Sequence, residues 1–228
     1  MPKRSKNYKE ARNKIKDTEK AYSVKEAVEI IKSTAYAKFN ETVELHINLG
    51  IDPKLNDQRI RFAASLPNGT GKTIKIIVIS NDNSGEKGNV NFRDEKVIEE
   101  IMAGKIMPDK DFNVIIATTD MMKNLAKVAK ILGPRGMMPS PKLGTVTDDV
   151  EKAINNLSKG QVEVKSQPNH AVIHQAVGKV NFDANKLAEN IEFVVSEINK
   201  NSPSKLKKKL IQRVYLTSTM GPSVRISA

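Results

Sequence analysis

Cysteine and tryptophan are absent from the 228 residues. The first absence excludes disulfides, thiol catalysis and thiolate metal sites. The second, with aromatics at only 4%, removes the bulky anchors that a basic amphipathic helix uses at a membrane surface. Long apolar runs are missing too. Ile76–Ile79 and Val114–Ala117 are far shorter than the roughly 20 residues of a membrane-spanning helix, so no membrane partner is expected. Met1–Lys20 has no apolar stretch for a signal peptide, and its Glu10, Asp17 and Glu19 argue against an organellar transit peptide. Three histidines occur, His46, His170 and His174. The last two flank the β-rich Ala171-Val172-Ile173, and in a strand they share a face without a third ligand. No metal or cofactor is expected. No nucleophile stands beside a partnered base. Glu99-Glu100 and Asp148-Asp149 fall at helical positions, where carboxylates at a helix start complement the dipole. Catalysis has little support.

What is abundant is positive charge, and its placement says more than its size. The net charge is +12. Asn68–Lys159 holds 14 basic and 12 acidic residues, a balance of +2. The flanks hold 24 basic and 14 acidic, a balance of +10 split equally between Met1–Pro67 and Gly160–Ala228. Solubility alone needs no such division. A basic surface built jointly by the two ends fits a polyanionic partner.

The pattern along the chain predicts an α/β protein of two domains. A basic arm, Met1–Lys20, runs into a short helix. Ser23 with Glu26 forms a capping box before Ala27, Val28, Ile30 and Ile31, and that helix ends before Phe39. Thr42–Leu49 alternates as a strand and Ile60–Leu66 is a second. Pro67-Asn68-Gly69-Thr70-Gly71-Lys72 is a breaker cluster and a hinge candidate. Beyond it come an apolar strand at Ile74–Ile79, a helix at Asp94–Met102, a strand at Asn113–Thr118, and helices at Met121–Leu132 and Asp148–Ser158. Continuous apolar strands alternating with helices predict a three-layer, Rossmann-like unit. After Lys159-Gly160, Val162–Lys165, Ala171–Gln175 and Ala176–Phe182 read as antiparallel strands. Asp183 caps a helix from Ala184 to Asn199, Ser202–Lys209 is a basic loop, and a last strand starts at Leu210. The expected division is residues 1–67 plus 160–228 as one discontinuous α+β domain, with 68–159 inserted. Gly69, Gly71 and Gly160 are the hinge residues, because glycine permits the φ changes a hinge needs.

Three segments invite a functional reading. Gly71-Lys72-Thr73 looks like the end of a phosphate-binding loop, which makes a small α/β nucleotide-dependent enzyme the alternative. The motif needs glycine five residues earlier, where Leu66 stands, and a helix rather than a strand afterwards. Gly133–Thr147 carries three prolines, so it is an ordered loop with Arg135 and Lys142 as charged contacts; it suits function or domain packing equally. Val214–Val224 has no charge and reads as strand, polar turn, strand. The hydroxyls of Thr217, Ser218 and Thr219 could reach phosphate or ribose, Met220 could lie on an apolar surface, and Gly221 lets a partner's backbone come close, but taken alone the segment is better explained as a tight turn.

Together these segments resemble the bacterial ribosomal-protein family that builds the mobile stalk beside the tRNA exit site, numbered one in the large subunit. The resemblance rests on Lys38-Phe39-Asn40-Glu41-Thr42-Val43-Glu44, Leu49-Gly50-Ile51-Asp52-Pro53 and Leu66–Lys72. It rests also on Ile131–Thr147, Val177-Gly178-Lys179 and Ser218-Thr219-Met220-Gly221-Pro222. Ser80–Asp94 is shorter and more polar than the family pattern, and Ser166–Asn169 and Ser204–Lys209 also depart from it. The resemblance implies a discontinuous domain that binds a folded segment of large-subunit rRNA, and an inserted three-layer domain. It implies that the stalk assists exit-site tRNA release, and that the protein represses translation by binding a similar fold in its own mRNA. The implied RNA-binding residues are Lys38, Phe39, Thr42, Lys179, Thr217, Ser218, Thr219, Met220 and Gly221. The tail then becomes an RNA-facing surface. The implied place is the ribosome of a cytoplasm, or of an organelle that encodes its own ribosomal proteins, and the free protein is expected to be a monomer.

Overall fold

The computed structural model describes residues 4–15, 17, 19–80, 85–108, 110–203, 206 and 209–227. Parts of the basic arm (1–3, 16, 18) and of the basic loop Ser202–Lys209 (204, 205, 207, 208) lie outside the described residues. The chain separates into two compact units, Met1–Gly71 with Val162–Ala228, and Lys72–Gln161. All 24 basic and 14 acidic flanking residues fall in the first unit, because 68–71 and 160–161 carry no charge.

The first unit opens with α1 (Lys6–Asn13), capped by the Ser5 hydroxyl, which accepts from the Tyr8 N–H. In α2 (Val24–Thr34), Ser23 Oγ accepts from the Glu26 N–H and the Glu26 carboxylate accepts from the Ser23 N–H. This reciprocal cap satisfies two otherwise orphaned donors. The helix buries Ala27, Val28, Ile31 and Thr34. Next comes β1 (Thr42–Leu49), which alternates half-buried and buried residues throughout, then β2 (Arg61–Ser65).

The second unit contains β3 (Ile76–Ile79), β4 (Gly85–Lys87), β5 (Val90–Arg93), α3 (Lys96–Met102) and β6 (Val114–Ala117). Two short helices follow, α4 (Met122–Leu125) and α5 (Ala129–Leu132), then α6 (Val150–Ser158). The strand order is β4-β5-β3-β6, with β3 parallel to both β5 and β6 and β4 antiparallel at the edge. All four residues of β3 are buried. Ile77 and Ile79 pack with Val97, Ile101 and Leu125, whereas Ile76 and Val78 pack with Ala153 and Leu157. Helices on both faces explain why this strand is apolar without alternation.

The chain then returns to the first unit as β7 (Gln161–Lys165), β8 (Val172–Lys179), α7 (Ala184–Lys200), β9 (Ile211–Ser218) and β10 (Val224–Ile226). Here β7 pairs with β2, and the main sheet is ordered β10-β9-β1-β8, antiparallel throughout. Val43, Leu45, Ile47 and Leu49 meet Val28 and Ile31 of α2 and Leu187, Ile191 and Val194 of α7 in one core. The opposite sheet face, with Thr42, Glu44, His46 and Asn48 of β1, is only half-buried.

Three expectations need correction, and two strands lie where no element is predicted. Ala171–Gln175 and Ala176–Phe182 are not two strands; β8 is continuous, with a register shift between its pairings to Val43 and Glu44. The bulge puts Val177 and Gly178 both inside, and that break in alternation mimics a strand end. The polar stretch after Ser80 carries β4 and β5, an edge strand and its neighbour that do not need a run of apolar residues. The helix expected over Met121–Leu132 is interrupted by a 3-10 turn at Ala126–Val128. His170 lies before β8, its N–H bonded to the Gln167 carbonyl, and so shares no strand face with His174.

Candidate nucleic-acid interface

The register of the main sheet brings three strand ends together around Thr42. On one side Thr42 is opposite Lys179, and the Lys179 ammonium donates to Thr42 Oγ1 at 2.8 Å. On the other side Val43 is opposite Ser218, so the next residue, Thr219, lies beside Thr42. The Thr219 N–H donates to the Thr42 carbonyl at 3.1 Å. The Thr42 N–H donates to Thr219 Oγ1 at 3.0 Å, and that hydroxyl donates back to the Thr42 carbonyl at 3.3 Å. Thr219 thereby extends the β1–β9 ladder by one side-chain link. Replacing it with Val strands the Thr42 N–H, so that change costs stability as well as any contact to a partner.

Lys38, Phe39, Asn40, Thr219 and Met220 are exposed at this junction. Phe39 is 56% exposed and Met220 49%. Both loops that carry them converge on Glu41, which is 1% exposed. Its carboxylate accepts from the N–H groups of Tyr36 (3.1 Å), Ala37 (2.9 Å) and Met220 (3.0 Å). The Tyr36 hydroxyl adds a bond to the Met220 carbonyl at 2.9 Å. Burial pushes the Glu41 carboxyl up, but the Ser218 hydroxyl and the N–H groups of Ala37, Met220 and Tyr36 outweigh it and hold the group below the ordinary carboxylate range.

The structure therefore brings Lys38, Phe39, Thr42, Lys179, Thr217, Ser218, Thr219, Met220 and Gly221 to one end of one sheet, in different roles. Thr217 is half-buried on the open sheet face opposite Glu44. Ser218 is buried; its hydroxyl makes no well-aligned hydrogen bond but helps hold Glu41 charged. A Cβ on Gly221 would meet Ser218 Oγ, so a side chain there would first have to turn that buried hydroxyl. Sequence reasoning missed Glu41, which looks like any strand-preceding carboxylate in Asn40-Glu41-Thr42; the one available signal is its position between a loop and a strand start.

Further along the open face, His46 and His174 meet across β1 and β8 with Nδ1···Nδ1 at 2.6 Å and rings edge to face. At that separation one nitrogen donates and the other accepts, the roles depending on the tautomers. Burial, then the neighbouring His174, lower the His46 pKa, with Glu44 opposing. Among the described residues no group of three or more His, Asp or Glu side chains could hold a metal ion.

Two of the candidate hinge residues, Gly69 and Gly71, are closely held within the first unit, whereas Gly160 lies in the second. Gly69, Gly71 and Gly160 all have positive φ, +64°, +67° and +92°. Asn190, 0% exposed on α7, donates to the carbonyls of Gly69 (2.9 Å) and Val177 (2.8 Å) and accepts from the Asn68 N–H (3.1 Å). A Cβ on Gly71 would lie 2.5 Å from the Phe182 ring. Beyond Lys72 the chain enters β3 rather than a helix, so the phosphate-binding reading of Gly71-Lys72-Thr73 lacks its helix N-terminus. In the second unit Gly133–Thr147 is ordered: Arg135 donates to the Pro108 carbonyl at 3.0 Å, and Thr145 Oγ1 accepts from the Ser140 N–H at 2.8 Å. Among the described residues no helix is long and apolar enough to cross a membrane.

A family model described as the ribosomal protein L1p/L10e family matches residues 31–222. The large ribosomal subunit protein uL1 of Kosmotoga olearia is 42% identical over 230 residues, covering 99% of this chain and 97% of its own. The uL1 of Fervidobacterium nodosum is 44% identical over 228 residues, covering 99% and 96%. That of Prochlorococcus marinus subsp. pastoris is 44% identical over 230 residues, covering 99% and 95%. The match takes in the Phe39 loop, the Thr219–Gly221 turn and the whole second unit, and on that extent the chain belongs to the ribosomal protein L1p/L10e family, in its bacterial type.

Proposed function

We propose that the unit built from the two ends of the chain binds a folded segment of large-subunit rRNA, anchoring the mobile stalk that assists exit-site tRNA release. Membership of the family makes the chain a structural constituent of the large ribosomal subunit and not an enzyme. The observation that carries the RNA reading is the junction at Thr42. Two large apolar side chains, Phe39 and Met220, stand in water beside Lys38 and Lys179, on the unit that holds +10 of the +12 net charge. Lysines neutralise phosphate and an exposed ring offers a platform for a base or ribose. The same surface would take a similar fold in the protein's own mRNA and so repress its translation. The second unit acts as the moving part, with φ changes at the crossings.

The direct experiment is titration of a labelled fragment of the large-subunit rRNA stalk, with a scrambled hairpin as control. Binding to the stalk fragment at least a hundredfold tighter than to the control is expected. Equal affinity for both would reduce the reading to non-specific attraction.

A further inference from the structure

We infer that Glu41 positions the RNA interface: its buried carboxylate locks the loop that presents Lys38 and Phe39 against the turn that presents Met220. The inference rests on the RNA-binding reading above and adds a residue that touches no partner.

A buried carboxylate without a cationic partner is expensive unless hydrogen bonds replace the lost water. Here they do. Oε1 takes the N–H groups of Tyr36 and Ala37, and Oε2 takes the N–H of Met220. The three donors come from segments about 180 residues apart in sequence, and neither segment is held by a regular ladder at that point. All three N–H groups end on one side chain, so a single carboxylate ties the Phe39 loop to the Met220 turn. The Tyr36 O–H bond to the Met220 carbonyl braces the same gap from the other side of that peptide. Only an acceptor with two oxygens can serve both loops at once. Glutamine can keep the two bonds to the Tyr36–Ala37 side through its one oxygen, but its NH₂ group then faces the Met220 N–H, donor against donor. The turn loses its tie to the Phe39 loop through Glu41 and keeps the Thr219–Thr42 and Tyr36 bonds, while the core beneath it, Val43, Leu45 and Leu216, is untouched.

The test compares rRNA-fragment affinity of the full chain, Glu41→Gln, Met220→Ala and the double variant, at a temperature where all are folded. Glu41→Gln should lose about tenfold or more. A positioning role requires that the two single losses fail to multiply, because an unplaced Met220 has little left to lose. A purely structural role predicts that they multiply, or that affinity follows melting temperature, and either result overturns the inference. Glu41→Asp covers the case in which Gln does not fold: it keeps the charge but withdraws it by one methylene, and the same non-multiplying loss is expected. In the unsubstituted protein the amides of Ala37 and Met220 should exchange slowly with solvent, well apart from that of Phe39; fast exchange at both sites overturns the inference without any variant. Normal wild-type binding with normal binding by both Glu41 variants rejects the role of Glu41 alone. Absence of wild-type binding rejects the RNA reading, and this inference with it.

Discussion

Phe39 and Met220 contribute nothing to the core, so truncating them separates recognition from folding. Phe39→Ala and Met220→Ala should each leave the melting temperature within the range of surface changes, about 0.5 kcal/mol. Each should weaken RNA binding by roughly ten- to a hundredfold, the value of a lost stacking or apolar contact. Parallel calorimetry and RNA titration check this, and a variant with unaltered affinity removes that side chain from the interface. Two titrating groups make a second prediction. The Glu41 carboxyl is lowered on folding, so its stabilisation is present above the unfolded value and is lost as pH falls through the folded one. His46 is also lowered from 6.5. The unfolded chain therefore takes up that proton first, and stability is unaffected above pH 6.5 but declines as pH falls towards the folded value. His174→Gln should shrink this decline in a pH series of urea midpoints, because it removes the neighbouring charge and leaves the burial. An unchanged slope would assign the decline to other groups.

At the scale of elements, α7 does more than cover the sheet. Asn190 is the point where the helix fastens β8 and the crossing at Asn68–Gly69. Asn190→Leu fits the volume but strands three backbone groups, and should destabilise the first unit by about 2–4 kcal/mol; a change under 1 kcal/mol would mean that water replaces the amide. Elements announced by local chemistry were legible in the sequence: Ser23 with Glu26 marked the start of α2, strict alternation marked β1, and an unbroken apolar run marked β3. Those depending on a neighbour were not. The β8 bulge is defined by its register on β1, and β4 and β5 are polar because one is an edge strand. The interface divides the same way. Phe39 and the Thr219–Gly221 turn enter the proposed interface only through a family resemblance, and the structure adds that they stand at one end of one sheet. That Ser218 points inward, that Thr219 spends its hydroxyl on Thr42, and that Glu41 ties the loops together are facts of three-dimensional pairing between residues about 180 positions apart.

For the whole molecule the uneven charge predicts where salt acts. The first unit carries +10 and the second, with 14 basic and 12 acidic residues, +2. Log affinity for RNA should fall linearly with log salt, by about 0.7 to 0.9 per phosphate contacted. A chain in which a short linker replaces Lys72–Gln161 should keep both the affinity and the slope, and a folded version that loses them would show that the second unit shares the binding. The topology also sets an order of events during synthesis. In the sheet, β1 lies between β8 and β9, and both follow the entire second unit in the chain. As translation proceeds, β1 waits with both edges open while the inserted unit emerges and can fold by local contacts. Its neighbours arrive late, and the Thr219–Met220 turn later still, followed only by the short β10. An interrupted chain ending within α7 can thus possess a finished second unit while it lacks β9 and the Thr219–Met220 turn of the proposed interface. If the Thr219–Met220 turn completes the RNA-binding surface, as proposed, occupancy of the RNA reports that translation has passed β9.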